Sequence, residues 1–158
     1  MKILLTGGSG FLGWNFCKTL RFKHEITALY LNHELFLEKC QFLKIDIRNY
    51  ADVLEIVRKI QPDVIVHTAA ITSVQLCDQD RDLAYSVNVE GTKNLIDAGA
   101  KVNAKFIYIS TDLVYSGDGS FFTEDTPPDP KSYYAQTKLE GEEIVKQYDN
   151  YIILRLAL

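Results

Sequence analysis

The sequence predicts an α/β protein built as a doubly wound parallel sheet, strand order 3-2-1-4-5-6, with helices on both faces. Three observations carry this expectation. Short apolar runs alternate with helix-patterned segments along the 158 residues, which implies right-handed crossovers and parallel strands. The run VIVH (Val64–His67) is continuously β-branched up to its last residue, as in a strand buried on both faces. Gly7, Gly10 and Gly13 follow the first apolar run directly and open a helical pattern, an arrangement that places the reversal of strand order between strands one and four.

Each element has its own signal. KILLT (Lys2–Thr6) is the first strand, and Phe11, Leu12, Trp14, Phe16, Cys17 and Leu20 pattern the helix after the glycines. The second strand is Glu25–Leu31. The third is Gln41–Ile45, stopping at Asp46. Asn49 is placed to cap a helix over Tyr50–Ile60, whose Val53, Ile56, Val57 and Ile60 share one face, and Pro62 marks its end. Val64–His67 is the fourth strand. A single long helix is expected over Arg81–Ala100, with Gly99 near its end, and the fifth strand over Lys105–Ser110. An irregular loop rich in Pro and Gly covers Gly117–Lys131, a helix covers Ser132–Gln147, and YIILRL (Tyr151–Leu156) is the sixth strand. Residues 1–158 form one domain, large enough to bury a core.

Composition excludes several classes. Hydrophobic residues at 47% and charged residues at 24% are those of a soluble globular chain. A net charge of −4 argues against a sequence-independent nucleic-acid binder. No apolar run reaches the length of a membrane span. Cys17, Cys40 and Cys77 are scattered and odd in number, with neither metal-ligand nor disulfide spacing, and no signal peptide precedes the first strand. A reducing cytoplasm fits, and no metal site is expected.

The glycine turn is the first candidate site. A strand turning through glycines into a helix points free N–H groups and the positive end of the helix dipole at one spot, where a pyrophosphate fits without a basic side chain. Gly7 permits the turn, Gly10 admits the phosphate and Gly13 lets the helix lie close on the strand. The alternative is a turn that binds nothing. Asp46 and Ile47 close the third strand, where the carboxylate and the following backbone suit an adenine edge; a capping or solvated aspartate is the other reading. Thr68, Ala69 and Ala70 are small enough for a flat nicotinamide ribose to lie against them, or simply pack closely. His67 reads as a packed, hydrogen-bonded residue. Asn88, inside the expected long helix, reads as a buried bridge between neighbouring strands; a merely exposed amide is the alternative.

The second candidate site is Tyr134 with Lys138, four apart and so on one helix face. An ammonium beside a phenol stabilises the phenolate and is expected to lower the tyrosine pKa, suiting it to exchange a proton with a carbonyl oxygen as a hydride is transferred. Tyr133 lies on another face. Ser110, Thr111 and Asp112, at the end of the fifth strand, face the same crevice, where a hydroxyl suits a substrate oxygen. Strand-end hydrogen bonds are the alternative role for Ser110 and Thr111.

These residues resemble an extended short-chain dehydrogenase/reductase, and within it the branch of dTDP-4-dehydrorhamnose reductase and its relatives. The likeness rests on TGGSGFLG (Thr6–Gly13), PDVIVHTAA (Pro62–Ala70), VNVEGTKNL (Val87–Leu95), YISTDLVYSG (Tyr108–Gly117) and YYAQTKLEGE (Tyr133–Glu142). It implies a Rossmann domain binding NAD or NADP, with a nucleotide-linked 4-keto sugar as substrate. It also implies Thr111, Tyr134 and Lys138 as the catalytic trio, with Asp112 near the substrate. Phe11 and Leu12 would meet the pyrophosphate through their backbone, Asp46 and Ile47 would meet adenine, and Lys138 would bond the nicotinamide ribose.

Two departures stand out. The second strand ends in Tyr30, Leu31, Asn32 and His33, with Glu34 a little late, so no residue chooses between a ribose hydroxyl and a 2′-phosphate. Members of this family continue past the sixth strand into a smaller lobe that grips the nucleotide sugar, whereas this chain stops at Leu158. The C-terminal substrate lobe is therefore expected to be absent, the isolated chain weak or inactive as a reductase, and the apolar sixth strand an uncovered edge open to homodimerisation. A sugar-nucleotide epimerase or dehydratase is a second expectation. A non-catalytic binding module, like the regulatory subunit of methionine adenosyltransferase, is a third.

Overall fold

A computed structural model describes residues 1–119 and 121–157. Six parallel strands form one sheet in the order β3-β2-β1-β4-β5-β6: β1 (Lys2–Thr6), β2 (Glu25–Tyr30), β3 (Cys40–Lys44), β4 (Val64–His67), β5 (Lys105–Thr111) and β6 (Tyr151–Leu156). This is the predicted order. Strands β2 and β3 each end one residue early because their last ladder partners are Tyr30 and Lys44, and β5 runs on to Thr111, paired with Leu156.

Alternation along the strands sends side chains to two cores. Leu4 and Ile65 point to a large core built with α2 (Tyr50–Ile60), α5 (Gly91–Ala100) and α6 (Tyr133–Val145), which contribute Val53, Leu95 and Val145 among others. Ile3, Leu5 and Val66 point the other way, to a smaller core closed by α1 (Phe11–Leu20) through Cys17. Each fully buried aliphatic side chain contributes on the order of 1.5–3 kcal/mol. The second face is covered less completely: Ile152 and Leu154 on β6 are 37% and 42% exposed. Among the described residues no helix is long and apolar enough to cross a membrane.

α2 is capped as expected, the Asn49 side chain accepting from the Ala51 and Asp52 N–H groups, and it ends at Gln61 in the left-handed region. The single long helix expected over Arg81–Ala100 is instead three pieces. α4 (Arg81–Tyr85) passes into one π turn, Ser86–Glu90, and then into α5. An additional short helix, α3 (Val74–Gln79), lies ahead of it, capped by Ser73. Asp80 closes α3 and caps α4 by accepting from Leu83 N–H at 3.0 Å. These caps were readable from Ser73 and Asp80; the π turn has no comparable local signal. α6 is shorter than the expected Ser132–Gln147, since Ser132 is its N-cap, outside the helix. The described part of Gly117–Lys131 is irregular, as expected; Ser120 within it lies outside the described residues.

Candidate functional site

The carboxyl ends of β1, β4 and β5 open on one cavity of about 680 Å³. The glycine turn forms one wall. Gly7 has φ +68°, and a Cβ there would stand 2.6 Å from Thr68 Oγ1 and 2.8 Å from the Ala69 nitrogen. A Cβ on Gly13 would run into the Gly7 carbonyl, so α1 approaches the turn only because Gly13 has no side chain. Gly10 is different: its Cβ would meet only the Gly7 oxygen, at 3.3 Å, and would otherwise point to open space. Gly10 is also the N-cap of α1 and supplies no side-chain acceptor. The first-turn N–H groups of Phe11, Leu12 and Gly13 therefore face the cavity without an intrahelical partner. Gly8, which the glycine spacing did not single out, is also constrained, though by a side chain and without a left-handed φ. A Cβ there would lie 2.7 Å from Ala28 Cβ, and its N–H donates to Leu29 O at 2.8 Å.

A buried hydrogen-bond relay ties β1 to β4 beneath this wall. Thr6 Oγ1 is 2.7 Å from His67 Nδ1 and accepts from the Ala69 N–H, and Thr68 Oγ1 donates to Thr6 O at 2.7 Å. His67 Nε2 is 2.9 Å from Thr92 Oγ1, whose own proton goes to Asn88 O. Thr92 is thus left to accept, which assigns a neutral His67 with its proton on Nε2. Burial holds the His67 pKa well below its ordinary value, helped by the Lys138 charge. The folded chain then binds fewer protons than the unfolded chain below about pH 6.5, so this contribution to stability is full above that pH and lost as pH falls. Urea midpoints at about pH 8 and about pH 5 are expected to fall further apart in the wild type than in His67→Gln; equal separations in the two proteins would contradict this role.

Asn88 is buried and bridging, as expected, but its partners are not neighbouring strands. Its amide pairs both backbone groups of Ile71, at 2.8 and 3.1 Å, and donates to Thr137 Oγ1 at 3.0 Å. It joins the segment after β4 to α6 because the π turn carries it inward. Thr68, Ala69 and Ala70 line the cavity just before that anchor.

Asp46 and Ile47 lie in the opposite wall. The Asp46 carboxylate holds Arg48 through Nε and Nη2 at 2.6–3.0 Å, and that guanidinium keeps its pKa below the ordinary value. Asn94, which sequence reasoning passed over, donates to both Ile47 O and Arg48 O at 3.0 Å and so fixes this turn from α5. Tyr30, Leu31, Asn32 and His33 complete this end of the cavity, with no acidic side chain among them.

Thr111, Asp112, Tyr134 and Lys138 meet at the other end. Tyr134 and Lys138 sit one turn apart on α6, both buried. Thr111 Oγ1 is 3.2 Å from Asp112 Oδ1 and accepts from the Leu113 N–H. Ser110 lines the cavity with them, but its hydroxyl donates to the buried Glu142 carboxylate at 2.6 Å rather than to the backbone. One expectation needs correction: the Tyr134 phenol is not lowered by Lys138. Burial raises it, with Thr111 acting against the rise. The Lys138 ammonium lies instead over the Tyr108 ring, 4.0 Å from its centroid. Burial pushes Lys138 down to about 7, with Glu142 acting against it. The apposition of Tyr108 and α6 depends on Gly141, where a Cβ would overlap the Tyr108 hydroxyl.

Comparison with known proteins gives a consistent result. The family described as RmlD substrate binding domain matches residues 1–158. The spore coat polysaccharide biosynthesis protein SpsK of Bacillus subtilis is 33% identical over 147 residues, 92% of this chain and 48% of that protein. A hypothetical dTDP-4-dehydrorhamnose reductase from Sulfolobus tokodaii superposes with a TM-score of 0.90 at 32% identity, covering 98% of this chain and 55% of that one. The dTDP-4-dehydrorhamnose reductase of Bacillus anthracis, solved with NADP, superposes with a TM-score of 0.80 at 34% identity, covering 98% and 52%. The chain spans about half the length of the curated relatives it matches.

Proposed function

The chain belongs to the RmlD substrate binding domain family, and from that premise we propose that it is the cofactor-binding and catalytic part of an NAD(P)-dependent reductase of a nucleotide-linked 4-keto sugar. The observation that carries this reading is that one cavity joins an uncapped helix N-terminus in a glycine turn to Thr111, Tyr134 and Lys138. The residues present fit a dinucleotide. The first turn of α1 offers N–H donors where Gly10 leaves room for a pyrophosphate. Asp46 and Ile47 flank the adenine end, and Ala69 and Ala70 leave a flat floor toward the catalytic end.

When bound, a reduced nicotinamide supplies the hydride. Tyr134 donates a proton to the carbonyl oxygen of the sugar, and its raised pKa keeps that proton on the phenol at neutral pH. Thr111, within reach of Tyr134, steadies the same oxygen, and Asp112 stands at the substrate side. Lys138 bonds the nicotinamide ribose and, once so placed, draws the phenol toward ionisation. Neither an acidic side chain for a ribose hydroxyl nor a lysine or arginine for a 2′-phosphate stands among Tyr30, Leu31, Asn32 and His33, so the reading takes NAD or NADP. The three cysteines are free thiols, which suits a cytoplasmic setting, and the exposed face of β6 suits a partner, a second copy included.

Titration of the protein with NADH and with NADPH, followed by nicotinamide fluorescence, is expected to saturate for at least one of them. Oxidation of that cofactor on adding dTDP-4-dehydrorhamnose is then expected to be weak, since the chain spans about half the length of the relatives it matches. Absence of saturation for both would overturn the proposal. Tightly co-purifying NAD with no net oxidation would move the reading to a sugar-nucleotide epimerase.

A further inference from the structure

Lys138 is 3% exposed and meets the cavity without an anion against it. Among the described residues no salt bridge and no hydrogen bond engages its Nζ. The contact that atom makes is with the Tyr108 ring, 4.0 Å from the centroid. A buried ammonium without a carboxylate is costly, so the ring that meets it has more to do than fill space.

The sequence sets that ring in place. Alternation along β5 turns Phe106, Tyr108 and Ser110 toward α6. Tyr108 is fully buried and wedged on several sides. Its hydroxyl donates to Lys138 O at 3.4 Å, its ring lies 5.6 Å from His67, and Gly141 admits the hydroxyl by having no side chain. Tyr108 thus touches both ends of one residue, the carbonyl of Lys138 through its hydroxyl and the ammonium through its ring.

The other titratable groups packed around this point have partners elsewhere. His67 on β4 is neutral and held between Thr6 and Thr92. Glu142, one turn along α6, is taken by Ser110 and by Arg155 of β6. Tyr134 on α6 faces Thr111, Cys77 and Asp112.

We infer that Tyr108 is a positioning residue for Lys138: its ring face seats the ammonium at the cavity wall in the free protein, where no anion is placed to do so. The negative face of an aromatic ring attracts a cation, and more strongly where both are desolvated. The inference rests on the assignment of Lys138 to the proposed reductase site, but the seat itself is testable without cofactor.

The test is NMR on protein carrying isotope-labelled lysine, with the Lys138 signal identified by its loss in Lys138→Met. In the wild type the Lys138 Cε protons, held by the ring, are expected upfield of those of the other lysines. Tyr108→Phe keeps the ring and is expected to keep both that shift and the Lys138 titration midpoint. Setting 3,4,5-trifluorophenylalanine at position 108 keeps the shape and drains negative charge from the face. It is expected to lower the midpoint by about one unit relative to Tyr108→Phe, a tenfold loss of ammonium at a given pH above the midpoint. A ring that only fills space predicts the same midpoint with and without fluorine, and that result would overturn the inference. So would wild-type Cε protons with no upfield shift, a measurement that needs no variant at position 108 to fold. Failure to bind NADH or NADPH would count against the reductase reading alone, because neither measurement uses a cofactor.

Discussion

Gly10→Asp is expected to give a protein at least as stable as the wild type that no longer binds a nicotinamide dinucleotide. The two effects have one cause. A Cβ at Gly10 meets only the Gly7 carbonyl, at 3.3 Å, and the expected stability requires that carbonyl to yield by a few tenths of an ångström. Gly10 is the N-cap of α1 and supplies no acceptor of its own. An aspartate there caps the first turn and answers the helix dipole, a gain of up to about 1 kcal/mol. The same carboxylate occupies the N–H groups proposed for the pyrophosphate and repels its charge, so affinity is expected to fall on the order of 100-fold or more. Gly13→Val makes the contrast. Its Cβ would overlap the Gly7 backbone, a contact that cannot rotate away, and overpacking of this kind costs about 1–3 kcal/mol. Urea midpoints and nicotinamide fluorescence, measured on both variants, separate the two. Undiminished binding in Gly10→Asp would mean that the turn does not hold the phosphates.

Tyr134→Phe is expected to reduce hydride transfer to dTDP-4-dehydrorhamnose by about 10²–10⁴-fold while leaving cofactor affinity within about twofold, the range for loss of a positioned general acid. The ring packs with Cys77 and Ala84 and is 9% exposed. Phenylalanine fills the same space and the fold is expected to be little changed. Stopped oxidation of NADH or NADPH with intact binding places the loss at the phenol. Ordinary turnover in this variant would remove Tyr134 from the chemistry and leave Thr111 to be tested next.

The parts of this protein legible in its sequence are those where one local rule decides the outcome. Strand order followed from alternation and the glycine turn. Asn49 capped α2 where the spacing put it, and Gly7 and Gly13 proved to be sterically obligatory. The errors fall where a distant partner decides. Ser110 could not be read as a ligand of Glu142, because that bond joins residues 32 apart in the chain. The raised Tyr134 pKa reflects burial in a cluster formed with Cys77 and Ala84, and spacing on one helix says nothing about that. Lys138, on α6, sits on an aromatic ring contributed by β5. Asn94 escaped notice because its partners are carbonyls of a turn 46 and 47 residues away.

The π turn at Ser86–Glu90 bears on what kinds of sequence change this fold accepts. A π turn holds one residue more than the α-helix around it, and each helical residue advances the chain by roughly 100°. Trimming a single residue there would keep the helix but rotate α4 and α5 against each other. Either Asn88 would leave Ile71 and Thr137, or Leu95 and Ile96 would leave the large core. Substitution at positions 86, 87 and 90 is therefore a smaller evolutionary step than insertion or deletion, and descendants of this chain should keep the length of this segment even where its letters drift.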